Sequence, residues 1–463
     1  MPQSTLTSRF HGAFAAAVGM LFVASGGACA QHIGASSAAP DEAFPWSRPL
    51  APAGIWLSDR GITPNFAINE FYQANPSAGV ATGRSQAITL FSVGADVDLA
   101  KLLRLDGATV HIEQLFATGV SNLNYRAELG DSIAAVGAPY LPKVAHLQTL
   151  TYEQKLLDGK LDLEVGKSNA IYHFATGLCN MPLTCQNTML LTAAGFNPFP
   201  YADWSARLAY DLTPMLRAQL GAWRSNPNFF NHNGWQRRGD ANDPVSSVYL
   251  ANLVYRSSYV QERYPATYEV MAYHNTARQT DRFITATGST AAQVHKGTDG
   301  LYLAARKVIY RPDHGEQAGA PANSLSAYGS WTHSFDPGVA DGVANLLHVG
   351  LIEQGLFKSR PKDSYSINAD WGQLSRHRQR FTEGARLAAG GPAYGPGRDE
   401  FMLTLDANFV LADSVVFSPF VRRSWRANNW FNPLNRTDPS DGYLFGMTLH
   451  LGLDRMLGLN AKR

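Results

Sequence analysis

Between residues 204 and 212 the chain reads WSARLAYDL, and this stretch carries the pattern that most restricts the fold. Trp204, Ala206, Leu208, Tyr210 and Leu212 share one face, while Ser205, Arg207, Ala209 and Asp211 share the other. Successive side chains of an extended strand point to opposite sides, so a period of two is a strand signal. The alternation recurs. Leu161, Leu163 and Val165 oppose Asp162, Glu164 and Gly166. Leu403, Leu405, Ala407, Phe409 and Leu411 oppose Thr404, Asp406, Asn408 and Val410. Tyr443, Phe445, Met447, Leu449 and Leu451 oppose Leu444, Gly446, Thr448 and His450. The chain is therefore predicted to be all-β, from about residue 62 onward.

Tight turns join these segments. Asp158-Gly159 lies between two runs, a strong hairpin signal. Residues 211–214 (DLTP) precede a second alternating run, Leu216, Ala218, Leu220 and Ala222 against Arg217, Gln219 and Gly221, and residues 411–414 (LADS) precede 415–421. Longer Gly-, Pro- and Asn-rich stretches are expected to be loops at 176–203, 225–244, 276–298, 311–324 and 358–398. Short connections at one end and long ones at the other are the habit of outer-membrane barrels. Fifteen or sixteen candidate strands can be marked, leaving about 27 residues for each strand and its connection. A soluble β-sandwich or solenoid would also alternate, but with strands nearer 5 or 6 residues or a fixed repeat.

The amino terminus supports export. A weakly basic start ending at Arg9 leads to the apolar run 13–24 (AFAAAVGMLFVA) and then to small residues, Ala28-Cys29-Ala30. This is the layout of a secretory leader, with cleavage expected after Ala30. The run is too short for a spanning helix, which needs about 20 apolar residues. A lipoprotein reading would place the lipid on Cys29, but Gly26-Gly27-Ala28 is a poor match to the usual box. The expected organisation is a leader at 1–30, a flexible Ala-, Ser- and Pro-rich lead-in at 31–54, and a barrel at 55–463. Cys179 and Cys185 remain after cleavage, and an even pair in an exported chain suggests a disulfide. A zinc site would want further ligands, and only His173 is near, so no metal is expected.

Composition narrows the class. The 463 residues carry a formal charge of +2, so no strong field attracts nucleic acid. Charged residues are 16%, below the roughly 25% of a soluble domain, and aromatics are 11%. Mean hydropathy is −0.18, and no apolar run of about 18 residues follows the leader, which excludes helical spanning. These values fit a barrel that is apolar outside and polar inside. They also fit a large secreted β protein. Enzyme signals are weak. Gly130-Asp131-Ser132-Ile133 resembles an esterase block, but no Asp has His three residues later, and no nucleophile elbow or Walker loop is present. Neither catalysis nor a cofactor is expected.

A family resemblance rests on residues 91–119. Asp96, Asp98, Leu99, Lys101 and Leu102 are followed by Asp106-Gly107-Ala108 and then His111. The next hairpin holds Tyr152-Glu153-Gln154 and Asp158-Gly159-Lys160-Leu161. Residues 197–200 (NPFP), Asn226-Pro227, and 397–400 (GRDE) before a later strand add to it. This pattern resembles carbohydrate-selective porins of the OprB type, well over residues 55–235 and more weakly beyond. The resemblance implies a sixteen-stranded transmembrane antiparallel β-barrel in the outer membrane of a Gram-negative bacterium, with a central pore passing sugars by diffusion. One departure is the carboxyl terminus. Such barrels commonly end on an aromatic residue, whereas this chain ends Ala461-Lys462-Arg463, which puts the register of the last strand in doubt.

Polar-face residues should line the lumen: His111, Glu113, Arg207, Asp211, Arg217, Gln219, Asp406, Asn408 and His450. Sugar hydroxyls both donate and accept, and sugar C–H faces sit on rings, so a selective channel wants Arg donors, carboxylate or amide acceptors and aromatic surfaces. His111 and Glu113 could pair on a metal, but without a third ligand they are expected as lumen groups. Trp204, Tyr210, Tyr443 and Phe445 fall on the opposite face and are expected at the membrane interface. The expected partners are small carbohydrates and outer-membrane lipid, with monomer and homo-oligomer both open. The alternative function is a non-channel exported β protein, either a plugged barrel or a secreted binding or adhesion protein.

Overall fold

The computed structural model describes residues 48–460, apart from 120–121, 142–144, 176, 186, 226–232, 236–245, 285–288, 317–318, 337–341 and 393–396. The expected leader at 1–30 and most of the lead-in lie outside the described residues. Sixteen strands follow in order: β1 (Ile62–Asn75), β2 (Arg84–Asp98), β3 (Ala108–Thr118), β4 (Ala145–Leu156), β5 (Leu161–Ser168), β6 (Asp203–Thr213), β7 (Leu216–Ser225) and β8 (Ser246–Arg256). Then come β9 (Ala266–Ile284), β10 (Thr290–Tyr310), β11 (Ser324–Ser334), β12 (Val343–Gln354), β13 (Ser364–Leu374), β14 (Asp399–Ala412), β15 (Val415–Trp425) and β16 (Gly442–Gly452). Each pairs antiparallel with its neighbours in sequence, and β16 returns to β1, so the sheet closes. Closure matters in a bilayer, where an open edge would leave backbone groups without partners. Among the described residues no helix is long and apolar enough to cross a membrane.

The two faces are built as the alternation requires. Val165, Leu208, Leu220, Leu253, Val270, Leu351 and Leu405 are exposed on the outer face. Exposed rings flank this band: Trp204, Tyr249 and Tyr443 at one end, Tyr152, Tyr210 and Tyr268 at the other. Trp204 and Tyr210 lie about 20 Å apart along one strand, close to the height of a barrel's apolar band. The inner positions of the same strands hold buried Asp162, Glu164, Arg207, Gln219, Asn252, Glu269, Thr404 and Asp406.

The shortest connections, 157–160, 214–215 and 413–414, sit at one end of the barrel and the longest, 169–202, at the other, which identifies the periplasmic and outer ends. At the periplasmic end the residues quoted for the resemblance make specific contacts. The Asp98 side chain accepts from Ala100 N at 2.9 Å and starts the turn Leu99–Leu103. Gly107 has φ +73°, and a Cβ there would lie 2.4 Å from Lys155 O, so only glycine fits. Gln154 Nε2 donates to Asp106 O at 2.9 Å, tying the two hairpins together.

Several loop expectations need correction. The helix Ala51–Asp59 takes the end of the segment expected as flexible. Leu50 N bonds Leu457 O at 2.9 Å, so this helix is tied to the short helix Leu453–Leu457 that follows β16. The stretch 276–298 belongs mostly to β9 and β10, which run to 19 and 21 residues. The connection at 311–323 is a periplasmic one. The expected loop 358–398 contains β13 and the helix Arg376–Ala388. β13 was hidden because its inner positions are small or polar, Ser364, Ser366, Asn368 and Asp370, which blunts the contrast with neighbouring turns. At the carboxyl terminus Leu451 pairs with Ile68, so the barrel closes before the non-aromatic tail begins.

Candidate functional site

The lumen is shaped by the shortness of β5. That strand ends at Ser168 after 8 residues, and β6 begins at Asp203 directly opposite. The chain between them turns into the barrel. Phe174, Leu178, Leu190, Ala193, Ala194 and Phe196 from this loop pack on inner-face Trp223, Leu250, Met271, Tyr273, Tyr302 and Tyr328. Those apolar inner residues break the polar-lumen expectation: they face a folded loop rather than water. A disulfide between Cys179 and Cys185 closes the loop on itself. Asn180 Nδ2 donates to Ser364 Oγ (2.7 Å), Thr184 Oγ1 to Asp406 Oδ2 (3.1 Å) and Asn187 Nδ2 to Thr332 Oγ1 (2.5 Å), so the loop reaches the far wall.

On the near wall Arg207 is central. Its guanidinium donates to Glu164 Oε2 from Nε (3.1 Å) and NH2 (3.0 Å), to Asp162 Oδ2 (2.8 Å) and to Gln219 Oε1 (3.2 Å). The strand pattern places these groups together: Glu164 pairs with Arg207 across β5 and β6, and Asp162 lies one inner-face step along. Arg217 joins Asp162 (3.1 Å) to Asp211 (3.1 Å). Gln219 Nε2 donates to Asn252 Oδ1 (3.2 Å), whose own amide donates to Glu269 Oε1 (2.7 Å). His111 lies 2.6 Å from Asp96 and 3.6 Å from Glu153, and Glu153 lies 3.7 Å from Arg207. Gln148 Nε2 donates to Glu113 Oε2 at 2.8 Å. His111, Arg207, Asp211, Arg217 and Gln219 thus belong to one continuous network, with Glu113 beside it.

Asp406 and Asn408 lie on the far wall. Asp406 accepts from Ser366, from Asn368 Nδ2 (3.1 Å) and from Thr184, and Asn408 accepts from Ser418. Arg422 donates to Thr404 Oγ1 and to Thr184 O, each at 2.9 Å. His450 lies opposite Asn69 in the β1–β16 register, away from both clusters. A narrow cleft opens against this wall, lined among others by Gln73, Thr184, Asp370, Phe420 and Arg422.

A second inward segment, 122–141, contains Gly130-Asp131-Ser132-Ile133, the four residues that resemble an esterase block. Asp131 Oδ1 accepts from Ile133 N (2.8 Å), Ala134 N (2.5 Å) and Ala135 N (3.3 Å). Burial holds this carboxyl above its ordinary range. Ser132 Oγ donates to Glu400 Oε2 (2.8 Å), and Asn428 Nδ2 reaches both. The Gly-Asp-Ser residues therefore start a buried turn and lock it to β14.

The sequence reading missed Asp162, Glu164, Glu153, Glu269, Asn252 and Arg422 as site residues, although all share the inner-face parity of the residues that were named. It also missed His173. In the inward loop, its Nε2 lies 3.4 Å from Glu164, its carbonyl accepts from Gln219 Nε2 (3.2 Å), and burial pushes its pKa down to about 4. Among the described residues no group of three or more His, Cys, Asp or Glu could hold a metal.

The family described as carbohydrate-selective porin, OprB family, matches residues 85–453. Porin B of Pseudomonas aeruginosa is 23% identical over 294 residues, covering 60% of this chain and 62% of that protein, so the match spans less than two thirds of that relative. The high-pH structure of Pseudomonas putida OprB superposes with a TM-score of 0.72 at 19% identity, over 86% of this chain and 95% of that one. The low-pH structure gives 0.50 at 15% identity, over 86% and 94%. These likenesses are ones of fold.

Proposed function

Because the chain belongs to the OprB family of carbohydrate-selective porins, we propose that it is an outer-membrane channel through which small sugars diffuse passively. The observation that carries this reading is the pairing of two hydrogen-bonding walls across one inward loop. The near wall offers Arg207, Arg217 and Gln219 as donors beside Asp162, Glu164 and Glu269 as acceptors. The far wall sets the Phe420 ring, the Arg422 guanidinium and the Asp370 carboxylate around one cleft. A pyranose has this combination in reverse, with hydroxyls around its edge and C–H groups on its faces. Most of these groups already hold one another, so a sugar exchanges hydrogen bonds rather than gaining many. Binding then stays weak enough for release, as a channel requires.

Arg207 orients acceptors rather than binding solute alone, since four of its hydrogen bonds are internal. The Cys179–Cys185 bridge keeps Asn180 and Thr184 in place against β13 and β14. The test is swelling of liposomes holding the folded protein in isotonic solutions of neutral mono- and disaccharides. Entry faster than into empty vesicles, with monosaccharides faster than disaccharides, is expected. Rates equal to those of empty vesicles would overturn the proposal and favour a barrel closed by its loops.

A further inference from the structure

Beyond Thr276 and Asp299 the strands β9 and β10 pair only with each other and rise above the outer rim as a hairpin. The helix Arg376–Ala388 packs on one face, with His377 Nδ1 2.8 Å from Asp281 Oδ1 and Gln279 buried on that side. Arg378 donates to Trp430 O (2.7 Å) and Arg386 pairs with Asp438, so the helix belongs to the cluster of outer loops. The hairpin's other face is turned away from that cluster. It carries Arg278, Thr280 and Arg282, directly opposite Lys296, Val294 and Ala292.

Arg278 and Lys296 are thus like charges in one cross-strand pair, an arrangement that destabilises a sheet. Acidic groups nearby are taken: Asp299 lies 2.7 Å from His274, and Asp281 meets His377. Among the described residues no ion pair reaches Arg278, Arg282 or Lys296. Between the cations sits Val294, 59% exposed. At the base of the hairpin Tyr249 stacks on His274 with ring centroids 6.3 Å apart, at the level of the outer aromatic girdle. Arg278 is about 14 Å further along the strand. Unpaired cations raised above a girdle, on the continuation of the lipid-facing side of the sheet, match an outer-leaflet surface where they meet anionic head groups.

We propose that this face docks on phosphate-bearing head groups of outer-leaflet lipid, and that the hairpin is an anchor for such lipid. The folded protein in detergent is titrated with mixed micelles containing diphosphoryl lipid A, with the same lipid lacking phosphates, and with inorganic phosphate. Wild type should bind the phosphorylated lipid. The R278S/K296S variant should bind about 30-fold more weakly at low salt, from roughly fivefold per cation near an anionic surface. The charge-preserving R278K/K296R variant should stay within about twofold, and the difference should shrink as salt rises. Unchanged affinity in R278S/K296S, equal binding of the dephosphorylated lipid, or a matching loss in R278K/K296R would overturn the proposal. Displacement by millimolar inorganic phosphate would do so too, in favour of a soluble-anion site, and lipid-independent self-association lost in R278S/K296S would do so in favour of a second copy. Sugar entry into liposomes should be the same for wild type and R278S/K296S, so this test does not depend on the channel reading.

Discussion

Replacing Arg207 with Met removes the one cation that three buried near-wall groups share. Glu164 loses two hydrogen bonds, Asp162 loses one of its two arginine contacts, and Gln219 loses a donor. Breaking a buried ion pair by deleting one partner costs about 3–5 kcal/mol, because the remaining charge has no compensation. Two features reduce that here. Arg217 still reaches Asp162 at 3.1 Å, and the methionine can keep part of the arginine stem's packing. The expected cost is therefore about 3 kcal/mol, read as equilibrium urea unfolding in detergent micelles. The attribution is tested by a double-mutant cycle with Glu164→Gln. If the pair acts as described, R207M/E164Q is less destabilised than the sum of the single variants by at least about 1 kcal/mol. Planar-bilayer recordings should also show R207M more cation-selective, since the lumen gains net negative charge. A cost below about 1 kcal/mol, or additivity within about 0.5 kcal/mol, would refute the view that Arg207 organises this wall.

Three further outcomes can be checked directly. Substituting both Cys179 and Cys185 with Ser frees a loop of the length for which chain entropy gives about 2 kcal/mol; the protein should remain heat-modifiable in gels while open-channel current noise rises, and unchanged noise would show that the bridge does not hold the loop. Gly107→Ala should cost at least about 2 kcal/mol in urea unfolding, from positive φ and the 2.4 Å approach to Lys155 O, whereas Gly159→Ala, where a Cβ meets nothing within 4 Å, should cost only its backbone strain. His173 has its folded pKa lowered to about 4 by burial, which outweighs the attraction of Glu164; its contribution is complete above pH 6.5 and is lost as pH falls from there through about 4, approaching 3 kcal/mol. Stability of His173→Gln should lose that part of the pH dependence; an identical profile would refute the assignment.

How much was legible in the chain follows from the physics of each feature. The closed sheet was, because a lipid-facing strand face must be apolar and a lumen face need not be, so residues such as 204–212 carry the alternation in full. The girdle rings Trp204 and Tyr443 followed from the same parity. Individual lumen residues were legible only as a face: Arg207 and Glu164 could be put on the inner side, but their contact depends on register, which a one-residue slip would destroy. The largest gap is the inward loop. Nothing in residues 169–202 alternates, and the apolar residues that receive it, Val248, Leu250 and Met271, sit at inner positions where the barrel pattern calls for polar ones. Those exceptions were the available signal. In a barrel with a water-filled lumen, an inner Leu beside an inner Met is costly unless something covers them, and the disulfide-closed apolar segment that does so follows β5, the shortest strand among the described residues. The near wall, the loop and the far wall are therefore one device: β5 stops early, the chain turns inward over those apolar positions, and Thr184 is carried across to Asp406.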